Sequence, residues 1–230
     1  MNKWIILTPG RTGSTFIAES LSRRNIRPFG ETSTFVDQNS IHTINDSINI
    51  TNIENLEFNL GDVWHSHNLN SLNFVDNDTR LIISTRSIFE SSISHEIARL
   101  TKIFHFKNTD NDINHRRKQA LDKLKSFEIA PVDFINRYHL IKYWYIACKK
   151  IIDIRSIKYQ TIDYSDFNKD NKKLFDLLDL ADPNLEDVAA KIPYNKEQLI
   201  TNLNFLRELV DLKDDNAYNI MTENYEQTKL

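Results

Sequence analysis

The chain has 230 residues, 40% apolar and 27% charged, with 29 Lys and Arg against 32 Asp and Glu. That length suits a single domain with a sizeable core. The near-balanced charge argues against a generally basic nucleic-acid-binding surface, and the even spread of Ile, Leu and Phe argues against low-complexity disorder. The single cysteine, Cys148, excludes an intramolecular disulfide and any Cys-based zinc cluster. No apolar run reaches the roughly 20 residues of a membrane span. The first apolar stretch is too short for a secretory signal, so a reducing cytoplasm is the expected setting. Glycine is the most telling count: there are 4, where average usage of about 7% would give about 16. A chain so poor in glycine is expected to keep it where the backbone demands it. Two of the four, Gly10 and Gly13, share the first loop.

In chain order, residues 4–8 form a short apolar run that ends in a turn, which predicts a buried strand. Thr12 or Ser14 can cap a helix reaching about residue 24, with Phe16, Ile17 and Leu21 on one face. Residues 31–60 are polar and weakly patterned. Strands are expected over 62–66 and 80–85, the second followed by a helix over about 87–104. Residues 115–127 read as an amphipathic helix. A long helix over 131–153 places Phe134, Tyr138, Ile141, Tyr145 and Cys148 at near-helical spacing. A strand over 157–162 and helices over 171–180 and 195–212 complete residues 1–214, read as one α/β domain with a helix-rich C-terminal half. Residues 215–230 read as a loose tail. Strands alternating with helices predict a parallel β-sheet flanked by helices, whose ligands bind beyond the carboxyl ends of the strands.

The first loop, Thr8-Pro-Gly-Arg11-Thr12-Gly13-Ser14-Thr15-Phe16, joins a strand to a helix start, where unpaired N–H groups and the helix dipole favour an anion. Gly10 and Gly13 let the backbone wrap a phosphate, Ser14 and Thr15 add hydroxyl donors, and Arg11 adds a fixed positive charge. The loop lacks the lysine and spacing of a G-x-x-x-x-G-K-[ST] phosphate loop, and the strand 80–85 carries no magnesium-binding aspartate. An ordinary capped turn is the bland reading. A second basic element follows that strand: Arg86 stands at its end and Ser94 eight residues on, two turns into a helix. Alone, such an arginine is as readily a surface ion pair as a phosphate contact.

Taken together, Arg11-Thr12-Gly13-Ser14-Thr15 and Arg86…Ser94 resemble the PAPS-dependent sulfotransferases (PAPS is 3′-phosphoadenosine 5′-phosphosulfate). In that family a [KR]-[ST]-G-[ST]-[ST] loop holds the 5′-phosphosulfate, and an Arg with a Ser eight positions on reads the 3′-phosphate. Phe16 stands where many members carry an aromatic residue, and Tyr159 to Phe167 is similar to the family's late strand and Tyr-Glu-Asp-Leu type element. The resemblance spans roughly residues 4–180 and shows features of both the cytosolic and the bacterial trehalose-sulfotransferase types. It implies a P-loop NTPase-like three-layer sandwich, PAPS as donor and no required metal. It further implies transfer of the sulfuryl group to a hydroxyl of a small-molecule or carbohydrate acceptor. The C-terminal Arg-Lys-Gly type element of the cytosolic branch has no counterpart here.

Sulfuryl transfer needs a proton acceptor beside the attacking hydroxyl. The segment Val63-Trp-His65-Ser-His67-Asn-Leu69 resembles the family segment whose His is the general base, which maps to His67. Glu31, in Arg27-Pro-Phe-Gly-Glu31, resembles the proposed base of the trehalose-sulfotransferase type and is the second choice. His65 and His67 could also supply two zinc ligands, with His95 the third to suspect, but spacing places no complete set. Tyr138, Tyr143, Trp144 and Tyr145 read mainly as core, and a base-stacking surface is the rarer alternative. The run His115-Arg-Arg-Lys118 reads as a solvated surface, and Cys148 as a buried inert thiol. A P-loop-type phosphotransferase and a non-catalytic nucleotide-binding module on the same fold are the competing functions.

Overall fold

The structure is a computed structural model, and it describes residues 3–12, 28–29, 63–66, 69–77, 79–101, 125–166, 195–210, 212 and 215–222. Five strands form one sheet: β1 (Lys3–Leu7), β2 (Pro28–Phe29), β3 (Val63–Ser66), β4 (Thr79–Thr85) and β5 (Tyr159–Asp163). Their order across the sheet is β2-β3-β1-β4-β5, and every pairing is parallel. Parallel strands need crossover connections, and those at the centre of a sheet are buried on both faces, which is why β1 and β4 carry near-continuous apolar runs rather than alternating ones. Ile5 and Leu7 of β1 pair with Leu81 and Ile83 of β4 and face one continuous apolar core. Ile6 and Ile82 lie on the opposite face and are just as fully buried. The molecule belongs to the α/β class.

Two helices pack against the sheet and line much of that core. The first, α1 (Ile88–Thr101), follows β4; the second, α2 (Pro131–Ile154), packs on it, with the Phe89 and Phe134 rings edge to face at 5.4 Å. Pro131 opens α2 because its fixed φ suits the first helical position and its missing N–H costs nothing there. Phe134, Tyr138, Ile141, Tyr145, Cys148 and Ile152 form its buried stripe. The helix ends in a Schellman motif: Ser156, at φ 52°, donates its N–H to the Asp153 carbonyl, and Ile157 donates to that of Ile152. Among the described helices, none is long and apolar enough to cross a membrane.

Four local expectations differ from the structure. The pairing Pro28–Phe29 against Val63–Trp64 is a strand too short to carry a pattern. Strand β5 starts at Tyr159 rather than 157, because Ile157 is spent on closing α2. The expected helix over 195–212 breaks into α3 (Lys196–Leu199) and α4 (Leu203–Glu208). There Ile200 bridges to Phe127, and the Asn202 side chain bonds the backbone of Ile129 in both directions, so tertiary partners replace helical hydrogen bonds. The tail is also not loose at its start: α5 (Ala217–Thr222) buries Ala217, Ile220 and Met221, and Asp215 docks on α1. The expected helices over 13–24 and 171–180, and 115–124 of a third, lie outside the described residues.

Candidate functional site

From β1 the chain moves to β2 and β3 on one side of the sheet, then crosses back to β4 and β5 on the other. The crevice beyond the carboxyl ends of β1 and β4 is therefore the point where connections diverge, and there the loops can open to admit a ligand. The first loop leaves β1 at this point. Gly10, at φ 87°, turns the chain, and Arg11 follows in the left-handed region at φ 58°. A non-glycine residue there costs on the order of 1 kcal/mol and persists only where its surroundings impose it.

Those surroundings are visible. The Thr8 and Thr12 hydroxyls share a hydrogen bond across the turn, and the Gly10 N–H donates to Thr8 Oγ1 at 3.2 Å. Ser84, fully buried near the end of β4, donates its hydroxyl to the Thr12 carbonyl at 2.6 Å. Tyr145 of α2 in turn donates its hydroxyl to the Ser84 carbonyl at 2.9 Å. Complete burial pushes the Tyr145 hydroxyl well above its ordinary pKa, so it remains a neutral donor. A chain of contacts from α2 through β4 thus fixes the first loop.

The same geometry brings Arg11, Arg86 and Ser94 together. Arg11 donates from Nε at 3.2 Å and from Nη2 at 3.1 Å to Ser94 Oγ. Arg86, the residue after β4, donates from Nη1 to the Arg11 carbonyl at 2.7 Å, and its guanidinium lies 4.2 Å from the centre of the Tyr164 ring. Arg86 is held by a neutral carbonyl and an aromatic face, both of which leave its positive charge uncancelled. Among the described residues no carboxylate lies within ion-pair distance of it. Tyr164 is itself placed by its backbone N–H, which donates to the Thr85 carbonyl at 2.8 Å.

The start of α1 is not available to an anion. Ser87 caps it by accepting from the Glu90 N–H at 3.0 Å, while Asp215 takes the Phe89 N–H on its carboxylate at 2.6 Å and also receives the Ser87 hydroxyl. The Ile88 N–H goes to the Asp215 carbonyl at 3.0 Å. An anion near Arg86 must therefore be recognised by side chains, not by the helix terminus.

Of the residues expected to bind or catalyse, Arg11, Thr12, Arg86 and Ser94 are described and cluster here; Thr12 contributes its carbonyl and hydroxyl to the loop's own bonds. Gly13, Ser14, Thr15, Phe16, Glu31 and His67 lie outside the described residues. Of β3, only the register is described, with His65 opposite Ile6. Among the described residues no three His, Cys, Asp or Glu side chains converge as metal ligands would. Ser84, Tyr145 and the Arg86–Tyr164 stack were not singled out from the sequence as parts of one site. Tyr164 carried a signal, since it falls in the segment similar to the sulfotransferase Tyr-Glu-Asp-Leu element; Ser84 carried none. Tyr138 and Tyr145 are core residues, Tyr143 is exposed, and the Cys148 thiol is pushed up to about 12 by burial. No protein-family model and no curated protein matches the chain.

Proposed function

We propose that the protein is a sulfotransferase that moves the sulfuryl group of PAPS to a hydroxyl of a small-molecule or carbohydrate acceptor. The observation that carries this reading is the convergence of Arg11, Arg86 and Ser94 at the carboxyl ends of two adjacent parallel strands. Two guanidinium groups and a hydroxyl in one crevice suit a nucleotide that carries phosphate at both ends of its ribose. The first loop, 8–16, would hold the 5′-phosphosulfate, with Arg11 stabilising the charge that grows on the departing phosphate oxygen. Arg86 and Ser94 would read the 3′-phosphate, and the Tyr164 ring would keep the Arg86 guanidinium flat against the wall of the crevice. The acceptor oxygen attacks sulfur as the sulfur–oxygen bond to the phosphate breaks; the acceptor's proton passes to His67 or, failing that, to Glu31. No step requires a metal. On this reading the sheet is the centre of a P-loop-like three-layer sandwich, and the enzyme works in the cytoplasm.

The test is a pair of calorimetric titrations without magnesium, one with adenosine 3′,5′-bisphosphate and one with 5′-AMP. The bisphosphate is expected to bind more tightly. Arg86→Ala is expected to weaken it by about 10- to 150-fold, the equivalent of a charged hydrogen bond of about 1.5–3 kcal/mol, and to leave 5′-AMP little changed. Equal affinity of the wild-type protein for the two nucleotides would refute the reading.

A further inference from the structure

Helix α2 is apolar on two sides. Its buried stripe, from Phe134 to Ile152, faces the core, and from that stripe the Tyr145 hydroxyl reaches β4. The other side is open: Leu140 is 59% exposed, Tyr143 63% and Ile154 74%, with Val132 exposed at the helix start. At about 100° per residue, Leu140, Tyr143 and Ile154 fall within about 60° of one another, on the side away from the core stripe. A surface helix ordinarily carries one apolar stripe and a polar outer face. Exposed apolar side chains gathered on a single face, unlike ones scattered singly, mark an interaction surface.

The row on this outer face has a regular spacing. Asp133, Asn136, Leu140, Tyr143, Ala147 and Lys150 recur at alternating steps of three and four, the period with which two helices meet along their length. Turned end for end about the midpoint between Leu140 and Tyr143, the row fits itself. Leu140 then stands opposite Tyr143, Asn136 opposite the small Ala147, and Asp133 opposite Lys150. The Asp133 side chain is 48% exposed even with Arg99 on one oxygen. Lys150 is exposed and, among the described residues, has no ion pair. A parallel alignment would set like charges on each other at both ends. Such exposed pairs fix orientation more than they add affinity. The Tyr143 ring is already stacked on His139 at 5.9 Å, which lowers the entropy lost on fixing it in an interface.

We propose that the outer face of α2 is the two-fold interface of a homodimer, in which α2 packs antiparallel on α2 of a second copy of this chain. Leu140 meets the partner's Tyr143 at the centre, and Asp133 meets the partner's Lys150 toward each end. The occupant is a second copy because the row complements itself, and a two-fold axis makes every one of these contacts twice. The face lies on the side of α2 away from Tyr145 and Ser84, so pairing leaves the crevice at the strand tips open. The assignment is independent of the nucleotide reading above.

The test is sedimentation equilibrium of the full chain from low to several hundred micromolar protein. The wild type is expected to show a monomer–dimer equilibrium. Leu140→Lys puts a charge into both central contacts and is expected to raise the dissociation constant by about 10-fold or more. Because Leu140 is exposed in the single protomer, the variant's far-ultraviolet circular dichroism should not change. Asp133→Lys and Lys150→Asp are each expected to weaken the dimer by about 3-fold, and the double variant to regain most of that loss. Should Leu140→Lys disturb the fold, the charge exchange decides alone. A monomer throughout the concentration range overturns the proposal, as does a dimer indifferent to Leu140→Lys. A double variant no tighter than the single ones overturns it too, since the helices would then not run antiparallel.

Discussion

The start of α1 follows the tip of β4 in the chain and lies beside the tip of β1 in space, yet the charges of the helix start and of the strand tips are handled in opposite ways. At the helix start, Asp215, Ser87 and the Asp215 carbonyl take every nearby N–H, and Lys196 pairs with Glu90 in the first turn. Nothing there is left to attract a ligand. One residue earlier, Arg86 rests on a carbonyl and a tyrosine ring, and Arg11 places two hydrogen bonds on a serine hydroxyl. For Arg86, such neutral partners orient the guanidinium without cancelling it. A cation matched by a carboxylate reads as structure, and a cation held by neutral groups reads as a binding site.

This contrast predicts that substitutions in the anchoring region cost stability, whereas those at the strand tips cost nucleotide binding. The largest effect is expected from Phe134→Ala, which removes a fully buried ring packed on Phe89 and should destabilise the fold by about 3–5 kcal/mol in urea unfolding. A loss below about 1 kcal/mol would mean that α1 and α2 are not locked together as described.

Asp215→Ala is next: it strips the cap from α1 and should cost about 1–2 kcal/mol, and freeing those N–H groups should not create tight nucleotide binding in an Arg86→Ala background. Tight binding in that double variant would show that the helix terminus, not the arginine, recognises the anion.

The smallest effect concerns pH. With its folded pKa held below the ordinary 6.5 by burial, Arg137 and Arg11 against the pull of Glu96, His95 binds fewer protons folded than unfolded within that window. Its contribution to stability is complete above about pH 6.5 and is lost as pH falls through the lowered folded value. His95→Gln should flatten that part of the stability profile, measured by thermal melting between pH 5 and 7; an unchanged slope would place the titration elsewhere.

Much of the fold could be read from the chain. The apolar runs of β1 and β4 and the stripe from Phe134 to Cys148 announce buried strands and a core helix, because burial on both faces or along one face imposes its own pattern. The break at Ile200 could not be read, since 195–212 has helical spacing and only the partners Phe127 and Ile129 interrupt it. Nor could the docking of Asp215, which lies 126 residues from the N–H it caps.

The site divides in the same way. Arg11, Arg86 and Ser94 stood out because each follows a strand or sits on the helix after it, where residue type and spacing along one chain carry the signal. The residues that hold them could not be found so. Ser84 is an ordinary strand residue until Thr12 passes within reach, and Tyr145 is one more aromatic on an apolar face until its hydroxyl meets β4. The left-handed turn at Arg11 likewise has no mark of its own beside Gly10.

What the sequence alone determined is therefore the kind of elements, their parallel α/β arrangement and the cations at the strand ends, since local apolar pattern and turn chemistry act between residues close in the chain. What only the tertiary structure decided is that Arg11 and Arg86 meet beside Ser94, and that Arg137 of α2 comes to the buried Glu96 of α1. Those meetings join positions tens of residues apart, and they are fixed by strand order and helix packing, which no local pattern encodes.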